Sequence, residues 1–179
     1  MRPDAPWRDR ETLAPLLAAW RPLVAGRDLF RVVVGPGWVR LHLVGDDRVG
    51  LLLTALPAAV IACPFHAPLP GPLNAALRPT VGEPLGELPR GGTLADLALL
   101  ADDLVLAVDI DTPQGRRQVR HQLFGSRGGL VVLDDRGRML YTAHARPHPC
   151  LVAPSPRRGD PPAAPATADA LAAWEEAGL

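Results

Sequence analysis

Alternating arginine and glutamine side chains in the second half of the chain are the residues whose types and spacing best suit ligand binding. Successive side chains of a β-strand point to opposite faces, so a strand over 116–124 places Arg116, Gln118 and Arg120 on one face. Arginine and glutamine suit contacts to nucleic-acid phosphate and sugar. Arg127 follows in the next loop and adds a further cation. A purely solvated polar face is the alternative interpretation of this row.

The charge of the chain is unevenly distributed. The 19 basic residues are all arginine and balance 19 acids. Residues 112–160 hold nine arginines and three acids, a net charge of +6 (9 − 3), whereas residues 1–111 and 161–179 each sum to −3. A basic segment favours a polyanionic partner. Because lysine is absent, biased codon usage is the alternative explanation for the arginines.

Cysteine and histidine occur together at two places and suggest a metal site. Cys63 and His66 form a Cys-x2-His pattern, and His144, His148 and Cys150 form His-x3-His-x-Cys. Thiolate and imidazole are the ligands that tetrahedral zinc prefers. The two clusters lie far apart in the sequence and contain several prolines. We therefore expect inert cysteines, surface histidines and no metal or other cofactor, with a metal-dependent hydrolase as the alternative.

Other catalytic signatures are weak. The sequence contains no GxGxxG or Walker A pattern, and neither Ser126 nor Ser155 lies in a GxSxG elbow. Asp109 and Asp111 share one face of a predicted strand, which would suit a pair of catalytic acids, although solvated acids at a strand end are the simpler interpretation. We therefore expect a non-catalytic domain.

The hydrophobic pattern predicts an antiparallel meander with few helices. A helix is predicted over 9–20, and the prolines of 57–72 predict irregular structure that ends in a short helix over 72–78. The pattern of 94–100 fits either a helix or a strand. Alternation and turn residues predict strands over 29–34, 38–44, 49–56, 104–110, 116–124, 130–133 and 138–143.

Length and composition predict one domain with a tail. The 179 residues suit a single core, which we place at 1–146. A Pro- and Ala-rich linker is expected over 147–166, and a short helix over 167–179 that could dock a protein partner. No apolar run reaches the roughly 18 residues that span a bilayer, and no secretory signal follows Met1. A cytoplasmic protein without membrane contact is the expectation.

Several segments in order resemble the NFACT-N domain, the N-terminal part of fibronectin-binding-protein-A-like proteins of ribosome-associated quality control. Residues 51–57, LLLTALP, are similar to its "LLLSxxP" strand. Residues 72–78, PLNAALR, are similar to its helix "PFxxxLRKxLxG". Residues 122–134 are similar to "ELMGRxSNIILVD", and residues 23–27 to "LxGxR". The resemblance covers roughly residues 20–146.

This resemblance implies an α+β fold with an antiparallel β-sandwich and a few short helices, related to the N-terminal domain of formamidopyrimidine-DNA glycosylases. It also implies binding of tRNA on the large ribosomal subunit, so the expected partner is tRNA or ribosomal RNA. With the family's functional positions included, six residues form the predicted nucleic-acid-binding set. They are Arg78, Asp102, Arg116, Gln118, Arg120 and Arg127.

The sequence departs from the family at informative positions. The family's Asp-Arg pair, tied to tRNA recognition, corresponds here to Asp102 and Asp103, so an acid replaces the arginine. Gly129 stands where the family has the asparagine of its Ser-Asn pair. The glycosylase relatives use an N-terminal Pro-Glu, which Pro3 and Asp4 do not reproduce. Base excision is therefore not expected, and a diverged glycosylase-like enzyme or a protein-interaction module remains the alternative to RNA binding.

Overall fold

The computed structural model describes residues 10–45, 49–56, 59–66, 77, 91–100, 104–124 and 128–153. Within this part of the chain, two helices flank the strands, α1 (Arg10–Val24) and α2 (Pro149–Val152). The strands are β1 (Arg27–Gly35), β2 (Trp38–Leu43), β3 (Val49–Leu56), β4 (Ala59–His66), β5 (Thr93–Leu99), β6 (Val105–Thr112), β7 (Gly115–Gln122), β8 (Gly129–Asp134) and β9 (Met139–Thr142).

The described strands form one antiparallel sheet in the order β4-β3-β2-β1-β5-β6-β7-β8-β9. Each strand pairs with its sequence neighbours, except that β5 pairs with β1 instead of β4. That junction is narrow, because only Arg27 with Leu94 and Asp28 with Thr93 are in register. The sheet can therefore bend there, and β3 of one half contacts β7 and β8 of the other.

The two halves of the sheet and α1 share one hydrophobic core. Alternate side chains of β2, including Val39 and Leu41, meet Val119 of β7, Val132 of β8 and Trp20 of α1 in a single buried cluster. Each such aliphatic side chain contributes about 1.5–3 kcal/mol when fully buried. Val119 belongs to this core, so the alternation of β7 places Arg116, Gln118 and Arg120 on the opposite face, as the strand period predicts.

The region 57–72 differs from its prediction. Ala59–His66 is a strand, although the prolines predicted irregular structure. Pro64 of β4 is in register with Leu51 of β3. Among the described strands β4 lies at the edge of the sheet, where a residue without an N–H can be accommodated. Residues 94–100 fall largely within β5. The predicted helix over 72–78 lies outside the described residues except for Leu77.

The carboxyl-terminal part of the described chain folds back on the sheet. α2 lies within the stretch 147–166 for which a linker was predicted, and Leu151 is fully buried. The predicted helix over 167–179 lies outside the described residues, so these domain boundaries stay a prediction. No helix in the described segments combines the length and the apolar character needed to cross a membrane.

Candidate functional site

The predicted polar row of β7 begins with an exposed ion pair. Arg116 is in register with Asp111 of β6, and its Nε donates to Asp111 Oδ1 at 2.7 Å. The hydrogen bond from Arg116 lowers the pKa of Asp111 below its ordinary value. Both side chains remain accessible, so this end of the row faces solvent.

Gln118 links the row to a second acid. Its Nε2 donates to Asp109 Oδ1 at 2.7 Å, and its Oε1 accepts from Arg120 Nε at 2.6 Å. The two aspartates that could have formed a catalytic pair thus each have a partner on β7, Gln118 for Asp109 and Arg116 for Asp111.

The position of Arg120 differs from the expected exposed row. The residue is only 5% exposed, and its Nη1 donates to the carbonyl oxygens of Leu151, at 3.1 Å, and Ala153. Burial lowers the pKa of Arg120, which the negative charge of Asp109 partly offsets. Arg120 therefore holds α2 against the sheet by hydrogen bonds. These bonds use guanidinium N–H donors that would otherwise be available to a ligand.

The packing of α2 against the sheet depends on the absence of a side chain at Gly129. Leu151 packs against Val105 and Val131 on the face of the sheet away from the main core. A Cβ on Gly129 would lie 2.6 Å from Leu151 Cδ1 and 2.9 Å from Gln122 Oε1. The glycine that departs from the family pattern thus makes room for α2, a relationship that sequence reasoning missed.

A polar cleft lies at one end of the sheet, between the β6–β7 turn and the β8–β9 turn; we call it the turn cleft. The two turns meet closely at Gly115, whose φ is 105° and which approaches the Asp135 carboxylate. The cleft has a volume of about 290 Å³. Its lining residues are Gln114, Arg117, Asp134, Asp135, Arg136 and Arg138.

Arg117 is the least exposed arginine of the turn cleft, at 8%. Its Nη1 donates to the Arg116 carbonyl at 3.1 Å, while its Nε, buried from solvent, has no hydrogen-bond partner among the described residues. Arg117 is not a member of the predicted nucleic-acid-binding set. Its role depends on the second turn, which is distant along the chain.

The acid opposite Arg117 is engaged within its own turn. Asp134 accepts from the backbone N–H of Arg136 at 3.0 Å, the N–H of Arg138 at 2.7 Å and Arg138 Nε at 3.0 Å. Desolvation raises the pKa of Asp134, but these hydrogen bonds outweigh it and the pKa lies below its ordinary value. Asp134 thus remains charged at neutral pH and organises the two exposed arginines above the cleft.

The structure does not test the other members of the predicted set. Arg78, Asp102 and Arg127 lie outside the described residues. In the candidate metal clusters, Cys150 Sγ is 2.9 Å from His148 Nδ1. The ring edge of Phe124 also contacts His148.

The remaining metal candidates are Cys63, His66 and His144. Cys63 and His66 belong to β4, but their side chains are not among the described ones. His144 Nε2 has no partner in the described part of the molecule. Within the described ranges, no three histidine, cysteine or acidic side chains group as a metal site would require.

Comparison with known proteins gives a match at the level of structure. No protein-family model matches the sequence, and no curated protein matches it. The N-terminal domain of fibronectin-binding protein PavA from Streptococcus pneumoniae superposes with a TM-score of 0.59 at 11% identity, over 74% of this chain and 54% of that one. The N-terminal part of the fibronectin/fibrinogen-binding protein from Streptococcus suis gives a TM-score of 0.55 at 12% identity, over 74% and 51%.

A third solved structure extends the same result. The fibrinogen-binding protein from Staphylococcus aureus superposes with a TM-score of 0.54 at 14% identity, over 84% of this chain and 55% of that one. The chain thus spans about half the length of the structures it matches. At these identities the likeness is one of fold: the molecule shares the mostly antiparallel sheet and few helices of the N-terminal domains of PavA-like fibronectin-binding proteins.

Proposed function

We propose that this chain is a non-catalytic RNA-binding domain that contacts the phosphate backbone of tRNA or ribosomal RNA at the turn end of its sheet. One observation carries the proposal: four arginines lie on or next to two adjacent turns at that end, two at the start of β7 and two in the β8–β9 connection. They are Arg116, Arg117, Arg136 and Arg138. Phosphate contacts from arginine supply most of the sequence-independent affinity of proteins for nucleic acids.

The charges around these arginines favour an anion only modestly. Asp111 and Asp134 each pair with one of the four, and Asp135 lines the cleft, so the local sum is +1 (4 − 3). A guanidinium carries five N–H donors, so an arginine in an ion pair retains donors for a phosphate oxygen. Such a surface supports salt-dependent, largely sequence-independent binding.

The buried half of the polar row has a supporting role in this proposal. Gln118 and Arg120 join Asp109 to α2 and fix the face of β7 beside the turns. Arg120 is therefore not proposed to contact RNA. The proposed contacts are Arg116, which was predicted, together with Arg117, Arg136 and Arg138. Arg78, Asp102 and Arg127 remain candidates from the family resemblance.

We infer further that the bent sheet is a β-sandwich of the NFACT-N and glycosylase-related kind. The shared core of the two halves and the match to the PavA N-terminal domain support this. The NFACT-N resemblance also supports tRNA or the ribosome as the source of the RNA, and hence a cytoplasmic location.

The test is fluorescence anisotropy of labelled bulk tRNA between about 50 and 300 mM salt. If Arg116 and Arg136 each contact a phosphate, the double variant Arg116→Ala/Arg136→Ala should reduce the slope of log K against log salt by about 1.5 units. The control is Arg10→Ala/Arg31→Ala, which removes the same charge from α1 and β1 and should leave most of that slope intact. Absence of tRNA binding at the lowest salt, or equal slopes for both double variants, would remove the turn end as the interface.

A second candidate function is recognition of a host matrix or plasma protein. The solved neighbours are named for binding fibronectin or fibrinogen. Phe30 is 76% exposed at an irregularity in the β1–β2 register, where a large apolar side chain could anchor a protein partner.

Surface plasmon resonance against immobilised fibronectin tests this candidate. If Phe30 is the anchor, Phe30→Ser should weaken binding at least tenfold, because a buried aromatic hot spot is worth about 2 kcal/mol or more. Arg116→Ala/Arg136→Ala is the control and should bind as the parent chain does. No fibronectin binding by the parent chain, or equal binding by Phe30→Ser, would rule out this role for Phe30.

A further inference from the structure

We propose that the turn cleft is a built site for a single phosphate group, with Arg117 as its principal ligand. This inference deepens the proposed RNA contact, but it does not depend on RNA, because a phosphate ion or a terminal phosphate presents the same oxyanion. It assigns a discrete pocket where the proposed function needs only a basic surface.

The burial of Arg117 without a counter-ion is the first argument. No carboxylate in the described part of the chain forms an ion pair with this guanidinium, and Nε has no hydrogen-bond partner there. Removing a charged guanidinium from water is costly unless hydrogen bonds and an opposite charge offset the loss. A bound oxyanion would supply the opposite charge, and it would accept hydrogen bonds from the part of the guanidinium that lines the cleft rather than from the buried Nε.

The second argument is the set of donors that share the cleft. Arg136 and Arg138 line the cleft together with Arg117, and Gln114 adds an amide that can donate. Asp134 is held by three donors of its own turn, so its charge is already compensated locally. Asp135 also lines the cleft and opposes an anion, leaving a lining charge of +1 (3 − 2).

The size of the cleft indicates the class of ligand. Pockets for drug-sized ligands have volumes of roughly 300–1,000 Å³. At about 290 Å³ and with a polar lining, the turn cleft suits a phosphate with its waters better than a complete nucleotide. Two N–H donors of a guanidinium match two oxygens of a tetrahedral oxyanion, which favours phosphate over chloride.

Isothermal titration with sodium phosphate at constant ionic strength tests the site. Arg117→Gln should weaken phosphate binding at least tenfold, because hydrogen bonds to charged groups are worth at least a factor of ten. Arg136→Ala should weaken it severalfold, and Asp135→Asn should strengthen it by removing the opposing carboxylate. Arg31→Ala, on β1, is the matched control and should bind as the parent chain does.

The exposed variants keep the test decisive if Arg117→Gln fails to fold. Arg136 and Asp135 are both exposed, so their replacement leaves the core unchanged. Opposite shifts in phosphate affinity for Arg136→Ala and Asp135→Asn support the site. Absence of phosphate binding by the parent chain, or equal affinity of the parent, Arg136→Ala and Asp135→Asn, would overturn it.

Competition by RNA oligonucleotides then distinguishes the sources of the phosphate. Displacement of phosphate by a 5′-phosphorylated RNA, but not by the same RNA with a 5′-hydroxyl, indicates a terminal phosphate. Displacement by both indicates an internal phosphodiester, and displacement by neither indicates the free ion. Failure of tRNA binding with phosphate binding intact would contradict the proposed function and leave this site standing. Binding of tRNA without binding of phosphate would support the basic surface of the proposed function and overturn the discrete phosphate site.

Discussion

Replacing Arg120 with alanine should lower the free energy of unfolding by about 3 kcal/mol, since the guanidinium makes charged hydrogen bonds worth about 1.5–3 kcal/mol each. The variant loses the donors to Leu151 O and Ala153 O and the bond to Gln118 Oε1. Buried carbonyl groups would remain without partners, which adds to the cost. For a chain of this length the loss corresponds to a fall in Tm of about 6–12 °C.

The measurement is thermal unfolding together with hydrogen exchange of the amides of Leu151 and Ala153. These amides are bonded to His148 O and Pro149 O within α2 and should exchange faster when α2 is no longer held. The matched control is Arg116→Ala on the same strand. Its ion pair with Asp111 is exposed, and such pairs contribute little to stability, so the free energy of unfolding should change little. Equal, small effects of the two replacements would show that Arg120 does not fasten α2.

The difference between Arg116 and Arg120 shows where sequence reasoning succeeds and where it stops. Alternation predicted correctly that both side chains lie on the face of β7 opposite the core, because the period of a strand is a local property. It could not predict which of them would be buried. That depends on α2, some thirty residues further along, and on the space that Gly129 leaves for Leu151.

The same limit applies to β4 and to the turn cleft. Pro64 predicted against a strand, but β4 lies at the edge of the described strands, and that position, which decides whether proline is tolerated, depends on how all of these strands pair. Arg117 near the start of β7 and Arg136 in the β8–β9 turn become neighbours only because β7 and β8 pair in the observed register. Turn residues predicted each hairpin separately, whereas the cleft between them required the tertiary structure.

His121 provides the last prediction, a loss of stability in mild acid. Its side chain is fully buried between the two halves of the sheet, and Nε2 donates to the Thr54 carbonyl at 2.7 Å. Nδ1 has no partner among the described residues, so a second proton there would be both buried and unpaired. Burial lowers the pKa of His121 to about 4, against the opposing effect of the Thr54 hydrogen bond.

The sign of the effect follows from proton linkage. Between pH 6.5 and about 4 the unfolded chain binds a proton at this histidine and the folded chain does not, so acid favours unfolding. The stabilisation is complete above pH 6.5 and is lost as the pH falls. From pH 7 to pH 5 the contribution of His121 should decrease by about 2 kcal/mol. Urea unfolding at both pH values measures it.

The variant His121→Gln isolates this contribution, because its amide can still donate to Thr54 O but does not titrate. We expect it to be less stable than the parent chain at pH 7 and to lose about 2 kcal/mol less between pH 7 and pH 5. Val119→Ala, at a buried apolar position on the same strand, is the control: it lowers the stability without removing a titrating group and should keep the parent's pH dependence. If His121→Gln and the parent chain lose the same stability over this interval, His121 titrates normally in the folded protein. The contact between Thr54 and His121, which joins the two halves of the sheet, would then be open to water.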